Sequence, residues 1–391
     1  MDTFLSRAQQ IKEELLEIRR TIHHCPEVGT SLPGTKVYVT EKLREFGYAP
    51  EEICESGIVA VLQGAKPGKT ILLRADMDAL KIAEKTSLPF AAENGCMHAC
   101  GHDMHTAMLL GAAKLLKAHQ QDISGNVKFM FQPNEEGFAG AKAMVKAGAL
   151  ENPNVDAAMA LHVSSGLPSG LVLAGKGITM AGCIFFRVKV QGTGCHGAMP
   201  ETGVDPINIA AHIYLSLQEI LAREVSPLTP ATLTIGRFTA GDAPNIIPEE
   251  AVIEGSVRTL DKDAGKHIYS RVVEIATYTA TQFRGRAVVE EICSVPPLKN
   301  DAALSTQMAG FIGEFYDAKK IVLFENGGMG SEDFAVISQE VPCSYLLIGA
   351  GTSEENEAFG KPMHNEHVVF NEDILPIGSA IFAHCARRWL Q

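Results

Sequence analysis

The stretch MHACGHDMH, Met97 to His105, places His98, Cys100, His102, Asp103 and His105 in the turn before an apolar, helix-like series. Cys100 and His102 stand two apart, so a bent loop can aim both at one point where a regular helix would not. Thiolate and imidazole are good ligands for zinc-like divalent ions. Taken alone, the cluster reads equally well as a metal site or as polar groups satisfied within a fold. His98 and His105 fit the second reading without difficulty.

Other ligand-type residues stand at comparable places. Glu135 and Glu136 follow an apolar strand in QPNEEG. An isolated acidic pair in a turn is ordinarily just solvated. Adjacent side chains diverge, however, so one carboxylate can bind a cation while its neighbour faces a reacting water. His162 closes AAMALH, and His364 lies in KPMHNEH after the last apolar run; a lone histidine in either place is more often structural. Together, Cys100, His102, Glu136, His162 and His364 are five ligand-type groups from four segments, each at a strand end or in an adjoining loop. One catalytic zinc takes three protein ligands and leaves a position open, so five groups suggest two metals sharing a bridge. Asp76 and Asp78 in RADMDAL end another apolar strand, either as an ordinary turn or as carboxylates that orient a ligand.

A third set is more dispersed. GTGCHGAMP puts His196 on a glycine-rich turn, APNIIP puts Asn245 between prolines, and SVRT puts Arg258 at a strand end. Singly these are two turns and a surface cation. Opposite a metal site they become donors to a substrate: histidine to a developing oxyanion, arginine to a carboxylate through two hydrogen bonds.

The elements that must position these groups follow from hydrophobic period. From Leu5 to about His119 the order is helix, helix, strand, strand, helix, with IVAVLQG and TILLRAD as the strands. Asp103 is the candidate N-cap or first-turn acid of the third helix. The strand VKFMFQ, a helix near Ala139 to Ala147 and the strand ending at His162 continue the pattern, so polar groups gather where strands finish, as in open α/β sheets. Between about Ala181 and Ser294 the order becomes βαββαβ, with helices over Asp205 to Arg223 and Lys262 to Phe283. This is the split-βαβ, ferredoxin-like plan, of a size suited to an inserted domain. SYLLIGAG and a helix from about Asn371 return to the style of the first domain, which is therefore discontinuous.

The bulk numbers narrow the function. At 391 residues two domains are expected, and 46% hydrophobic with 20% charged residues describes an ordinary globular chain. A net charge of −12 with no basic run argues against nucleic acid. The N-terminus reads as a charged amphipathic helix rather than a signal peptide, and no segment approaches the roughly 20 apolar residues that span a bilayer. Nine scattered cysteines do not form a disulfide framework, so reduced thiols in the cytoplasm are expected.

In order, RADMDAL, MHACGHDMH, FQPNEEG, the LHV around His162, GTGCHGAMP, APNIIP, SEDF and the late His364 resemble one family over nearly the whole chain. It is the aminoacylase and hippurate hydrolase branch of the two-metal aminoacylase and carboxypeptidase superfamily. That family also includes N-acetyl-diaminopimelate deacetylases and hydrolases of plant auxin conjugates. The resemblance implies an α/β protein whose mixed-sheet, metallopeptidase-like catalytic domain (1–180 and 295–391) receives a ferredoxin-like lid and dimerisation domain (181–294). It implies Cys100, His102, Glu136, His162 and His364 as ligands of two divalent metals, and Glu135 as general base. Manganese, zinc, cobalt and nickel all suit such mixed donors. The family's aspartate corresponds to Asp76, favoured as the leading acid, or to Asp78. Members are commonly dimers, and the inserted histidine, here His196, can reach an active site; a small hydroxyl residue usually precedes it, where this chain has Cys195.

The expected activity is hydrolysis of the amide bond of a small N-acyl amino acid, with Asn245 and Arg258 holding its free carboxylate. A metallo-exopeptidase acting on dipeptides is the nearest alternative. A thiol-redox or metal-storage protein built on Cys96 and Cys100 is a third, opposed by the CxxxC spacing, where redox pairs use CxxC, and by the ordered carboxylates.

Overall fold

TILLRAD and its neighbours are apolar on successive residues, the pattern of a strand covered on both faces rather than one. In the computed structural model, which describes residues 3–391, Thr70 to Asp76 are all buried. The chain divides into two compact units, Met1–Gly177 with Lys299–Asn326 and Val336–Gln391, and Ile178–Leu298 with Gly327–Ala335.

The first unit contains α1 (Phe4–Gln10), α2 (Lys12–His24), α3 (Pro33–Glu45), β1 (Glu51–Cys54), β2 (Gly57–Gln63), β3 (Lys66–Asp76), α4 (His102–Lys117), β4 (Ser124–Gln132), α5 (Gly140–Lys146), β5 (Ala157–Ser164) and β6 (Val172–Gly175). A short strand, β7 (Gly177–Met180), leads out of it, and β14 (Leu298–Asn300) leads back to α8 (Ala302–Gly313), β15 (Ile321–Phe324), β16 (Cys343–Gly349) and α9 (Leu375–Trp389). Eight strands form one mixed sheet in the order β1-β2-β4-β3-β5-β16-β6-β15. The central pairs β4–β3, β3–β5 and β5–β16 are parallel, whereas β1–β2, β2–β4 and β16–β6 are antiparallel.

The N-terminal helix of the sequence reading is in fact two helices, α1 and α2, broken at Ile11 (φ −101°, ψ 15°). The apolar series expected after Asp103 is α4, and every residue of it except Lys114 and Lys117 is buried. The reason is tertiary: α4 packs against α2 and α9 as well as β3, so it has no solvent face to keep polar.

The second unit contains β8 (Gly182–Gln191), β9 (Cys195–His196), α6 (Pro206–Glu219), β10 (Ala231–Ala240), β11 (Ile246–Ile247), β12 (Glu250–Thr259), α7 (Lys262–Gln282) and β13 (Arg286–Val295). Its antiparallel sheet runs β10-β12-β8-β13. The helices start where N-caps allow: the Asp205 carboxylate accepts from the Ile207 and Asn208 amides, and Asp261 from those of Asp263 and Ala264. Strand alternation sends Phe186, Val188 and Val190 into a core with Ile209, Ile213, Ile268 and Val272, while Arg187 and Lys189 pair with Glu254 and Glu290 on the other face.

Candidate metal centre

The turn at Cys100 is made possible by Gly101, whose φ of 81° and ψ of 21° lie in the left-handed region. Gly101, not Asp103, is the N-cap of α4. Asp103 sits in the first turn with its carboxylate 2.7 Å from Arg19 Nε and 2.8 Å from His23 Nδ1. The kink before α4 lets the Cys100 thiol and the His102 imidazole converge.

Two groups of donors meet there. The ligand atoms of Cys100, His102 and His162 lie within 4.8 Å of one another, as do those of Cys100, Glu136 and His364. Cys100 belongs to both. Its Sγ is 3.6 Å from His162 Nε2 and 3.3 Å from His364 Nε2, and His364 Nε2 is 3.4 Å from Glu136 Oε1. All five side chains come from the first unit. Glu135, 5% exposed, forms a further group with His102 and Glu136 inside the same 4.8 Å limit.

Neighbouring groups set which nitrogen faces inward. His162 Nδ1 is 2.6 Å from the Val163 carbonyl, so that nitrogen donates and Nε2 presents a lone pair toward Cys100. The Val163 amide donates to His105 Nε2 at 2.9 Å, which leaves His105 Nδ1–H to donate to Asp76 Oδ1 at 2.6 Å. His364 has a φ of 62°, and its amide donates to the Ala99 carbonyl, tying its loop to the turn that carries Cys100.

Asp76 and Asp78 separate by environment. Asp76 Oδ2 is 2.6 Å from Arg74 Nη1, and Arg74 Nε donates to Gln132. Asp78 accepts the consecutive amides of Glu135 and Glu136, at 2.9 and 3.2 Å, and lies 3.4 Å from His102 Nδ1. One carboxylate thus orients His102 and both adjacent glutamates.

Burial raises Asp76 toward the neutral acid, but His102, Arg74 and His105 outweigh it and hold it well below the usual carboxylate range. Burial likewise opposes charge on His102, yet Asp76, Asp78 and Cys100 hold its pKa well above the ordinary value. His364 is raised to about 10 by its hydrogen bond to Cys100 and by the Glu136 carboxylate 3.4 Å away. The carboxylates and thiol therefore favour positive charge at His102 and His364, whereas burial and the neighbouring His105 hold His162 well below its ordinary value. Glu136 Oε1 and His102 Nε2 are buried and make no hydrogen bond among the described residues, an arrangement that needs a partner. Thiol, imidazole and carboxylate donors around those atoms fit a pair of divalent cations.

The remaining expected residues lie in the second unit. His196 pairs with Ile246 across β9 and β11, and the adjoining Gly197 amide donates to the Asn245 carbonyl, so His196 and Asn245 share one ribbon. Arg258 is elsewhere. It pairs with Cys183 while Glu250 pairs with Gln191, so Arg258 and the ribbon occupy opposite ends of the sheet. At about 3.3 Å per residue the eight-residue offset along β12 is about 26 Å. The Arg258 guanidinium donates to Ser331 Oγ at 2.8 Å. Asn245 and Arg258 of one chain therefore cannot grip one small carboxylate together.

Sequence reasoning left His105 undecided and passed over Arg74, Arg19 and His23. Arg74 had a signal, since it stands two residues before Asp76 on a strand and so shares its face. His98 does not fit the satisfied polar reading: it is 1% exposed, and neither ring nitrogen makes a hydrogen bond among the described residues. Burial pushes its pKa down to about 3, so it is neutral.

Residues 72–388 match the profile of peptidase family M20/M25/M40. The chain belongs to that family. Its M20 relatives include the YXEP protein of Bacillus subtilis, described as a dinuclear metal binding peptidase, whose crystal structure superposes with a TM-score of 0.80 at 30% identity, covering 98% of this chain and 99% of that one. The N-acetyl-L-cysteine deacetylase of Bacillus subtilis (strain 168) is 37% identical over 87% of this chain and 81% of its own. The IAA-amino acid hydrolase ILR1-like 4 of Arabidopsis thaliana is 35% identical over 99% of this chain and 88% of its own. Family membership makes the chain a metal-binding hydrolase of amide bonds with the M20 mixed α/β fold. No helix among the described residues is long and apolar enough to cross a membrane.

Proposed function

We propose that this M20 hydrolase cleaves the amide bond of small N-acyl amino acids, releasing a carboxylic acid and a free amino acid. The observation that carries the reading is Cys100 shared between two donor groups, with the Glu135 carboxylate beside them. The substrate class is supported by relatives named for N-acetyl-L-cysteine and for IAA-amino acids.

Cations held by Cys100, His102, Glu136, His162 and His364 would polarise the amide carbonyl and lower the pKa of water to about 7. Manganese, zinc, cobalt and nickel all suit these donors. Glu135 takes the proton of the attacking water and returns it to the leaving amine. Asp78 aims Glu135 and Glu136 through their amides and orients His102, which favours it over Asp76 as the functional aspartate. Asp76, locked by Arg74 and His105, steadies the histidines instead.

The ferredoxin-like unit is read as the lid and dimerisation domain. Its β10 is an edge strand on which Gly236 to Thr239 are exposed in succession, open to pairing with a second copy. His196 would hold the oxyanion, and Asn245 and Arg258 the substrate carboxylate. Because Asn245 and Arg258 lie at opposite ends of one sheet, the two must come from different copies if both act on one substrate.

The test is a panel of N-acetyl and N-benzoyl amino acids beside dipeptides, assayed before and after chelation and after restoring single metals. Turnover of N-acyl amino acids that disappears on chelation and returns with metal is expected. Full activity in stripped protein would overturn the metal reading, and a preference for dipeptides would establish the exopeptidase alternative.

A further inference from the structure

Behind the Cys100–His102 turn lies a buried chain of charges that the reaction does not use. His23 on α2 sets Nδ1 2.8 Å from Asp103 Oδ2 and Nε2 3.1 Å from Glu84 Oε2. Carboxylates only accept, so an imidazole between two of them donates from both nitrogens as the imidazolium. Arg19 Nη2 is 3.3 Å from the same Nδ1, but a bare lone pair there would repel the nearer Asp103 oxygen. Burial and Arg19 act against charge on His23; Asp103 and Glu84 outweigh them and hold its pKa above the ordinary value.

Arg19, one helical turn earlier, completes the set with Nε 2.7 Å from Asp103 Oδ2 and its guanidinium 4.7 Å from the Phe90 ring centroid. The side chains of Arg19, His23, Glu84 and Asp103 are at most 1% exposed. Arg19 Nη1 is also 3.3 Å from Glu372, whose charge the half-exposed Arg20 meets at 2.6 Å, so within the buried set two cations balance two carboxylates. Glu84 also accepts the Ala92 amide at 2.7 Å and the Thr86 hydroxyl.

The placement of these residues matters more than their energy. The connection from β3 to α4, residues 77–101, holds no helix or extended strand, and it carries Cys100. Glu84 and Ala92 lie within that connection, and Asp103 directly follows His102. The middle of the connection and the first turn of the helix that follows it are therefore held by one face of α2. A buried ion cluster contributes little net stability compared with an apolar replacement, but it imposes one geometry on the groups it joins. Metal sites depend on such supports for ligand orientation.

We infer that His23 and Arg19 are positioning residues, clamping Asp103 and Glu84 so that the Cys100–Gly101–His102 turn is held in ligand geometry. The inference rests on the reading of Cys100 and His102 as metal ligands.

The test uses cobalt(II)-loaded full-length protein, whose visible spectrum reports a thiolate ligand and the coordination geometry. His23→Gln keeps one donor and leaves the carboxylates in excess. It should lower cobalt affinity roughly 10- to 100-fold, as loss of supporting contacts commonly does, and alter the d–d bands while far-UV circular dichroism stays native. Adding Glu84→Gln restores the charge balance and should recover much of the affinity, an effect that a role in stability alone would not produce. Cobalt affinity within about twofold of wild type and an unchanged spectrum in folded His23→Gln would overturn the inference. If His23→Gln does not fold, Arg19→Lys decides: the charge remains but the fixed fork is lost, so affinity should fall several-fold, and unchanged affinity refutes the clamp. A wild-type spectrum without a thiolate band, equal to that of Cys100→Ser, would instead show that the ligand reading had failed.

Discussion

Replacing Gly101 by alanine tests whether the bend between Cys100 and His102 needs the one residue without a side chain. Gly101 has a φ of 81°, where an L side chain costs about 1–2 kcal/mol. A Cβ there would also stand 2.3 Å from Val163 Cγ2, a contact that real Cβ atoms do not make, and 3.4 Å from the Phe370 ring. Val163 is β-branched and fully buried, so it cannot turn away, and forced overpacking costs about 1–3 kcal/mol. Together the two effects predict a loss of about 2–5 kcal/mol. The strain has a functional direction as well, since the Val163 amide holds His105 and its carbonyl holds His162. Urea unfolding followed through Trp389, the only tryptophan and part of α9 in the first unit, measures the stability; elemental analysis measures metal per chain. Gly95→Ala is the control, with a φ of 80° and nothing within 4 Å of the added Cβ, and should show the backbone cost alone. A Gly101→Ala protein no less stable than Gly95→Ala and with full metal content would refute the close-packed turn.

The two adjacent glutamates should respond differently. Glu135→Gln is expected to retain metal and lose at least about 10²-fold in kcat, whereas Glu136→Ala loses metal and activity together; more than about a tenth of wild-type kcat in Glu135→Gln contradicts a general base there. Acid stability should depend on the buried carboxylates of the α2 clamp. Burial raises Asp103 and Glu84, but Arg19 and His23 hold the former, and His23 with Thr86 the latter, below their usual values of 3.8 and 4.5. Their contribution is therefore complete above about pH 4.5 and is lost as pH falls through the depressed folded values. Asp103→Asn should flatten that acid limb in metal-free protein, and an unchanged pH dependence of the melting temperature would exclude it.

Much of the fold could be read from local pattern. The apolar runs that became β3 and β4 were legible as strands because a strand covered on both faces is apolar on successive residues. The helices read over Asp205 to Arg223 and Lys262 to Phe283 start where Asp205 and Asp261 cap them, a signal confined to three residues. What local pattern left open was decided by neighbours distant in sequence: α4 is covered on every side by α2, α9 and β3, and of the two places open to Asp103 it takes the first turn, with its carboxylate on Arg19 and His23 while Gly101 caps the helix.

The site divides in the same way. Residue types and turn spacing marked Cys100, His102, Glu136, His162 and His364 as candidate donors at strand ends or in adjoining loops, because donor chemistry belongs to a side chain and strand ends are local events. Sequence could not choose between Asp76 and Asp78, set the His105 and His162 tautomers, or find the clamp from α2. Nor could it show that Asn245 and Arg258 stand at opposite ends of one sheet. Each of those depends on hydrogen bonds a few ångströms long between residues tens of positions apart, and such distances exist only once the chain has folded.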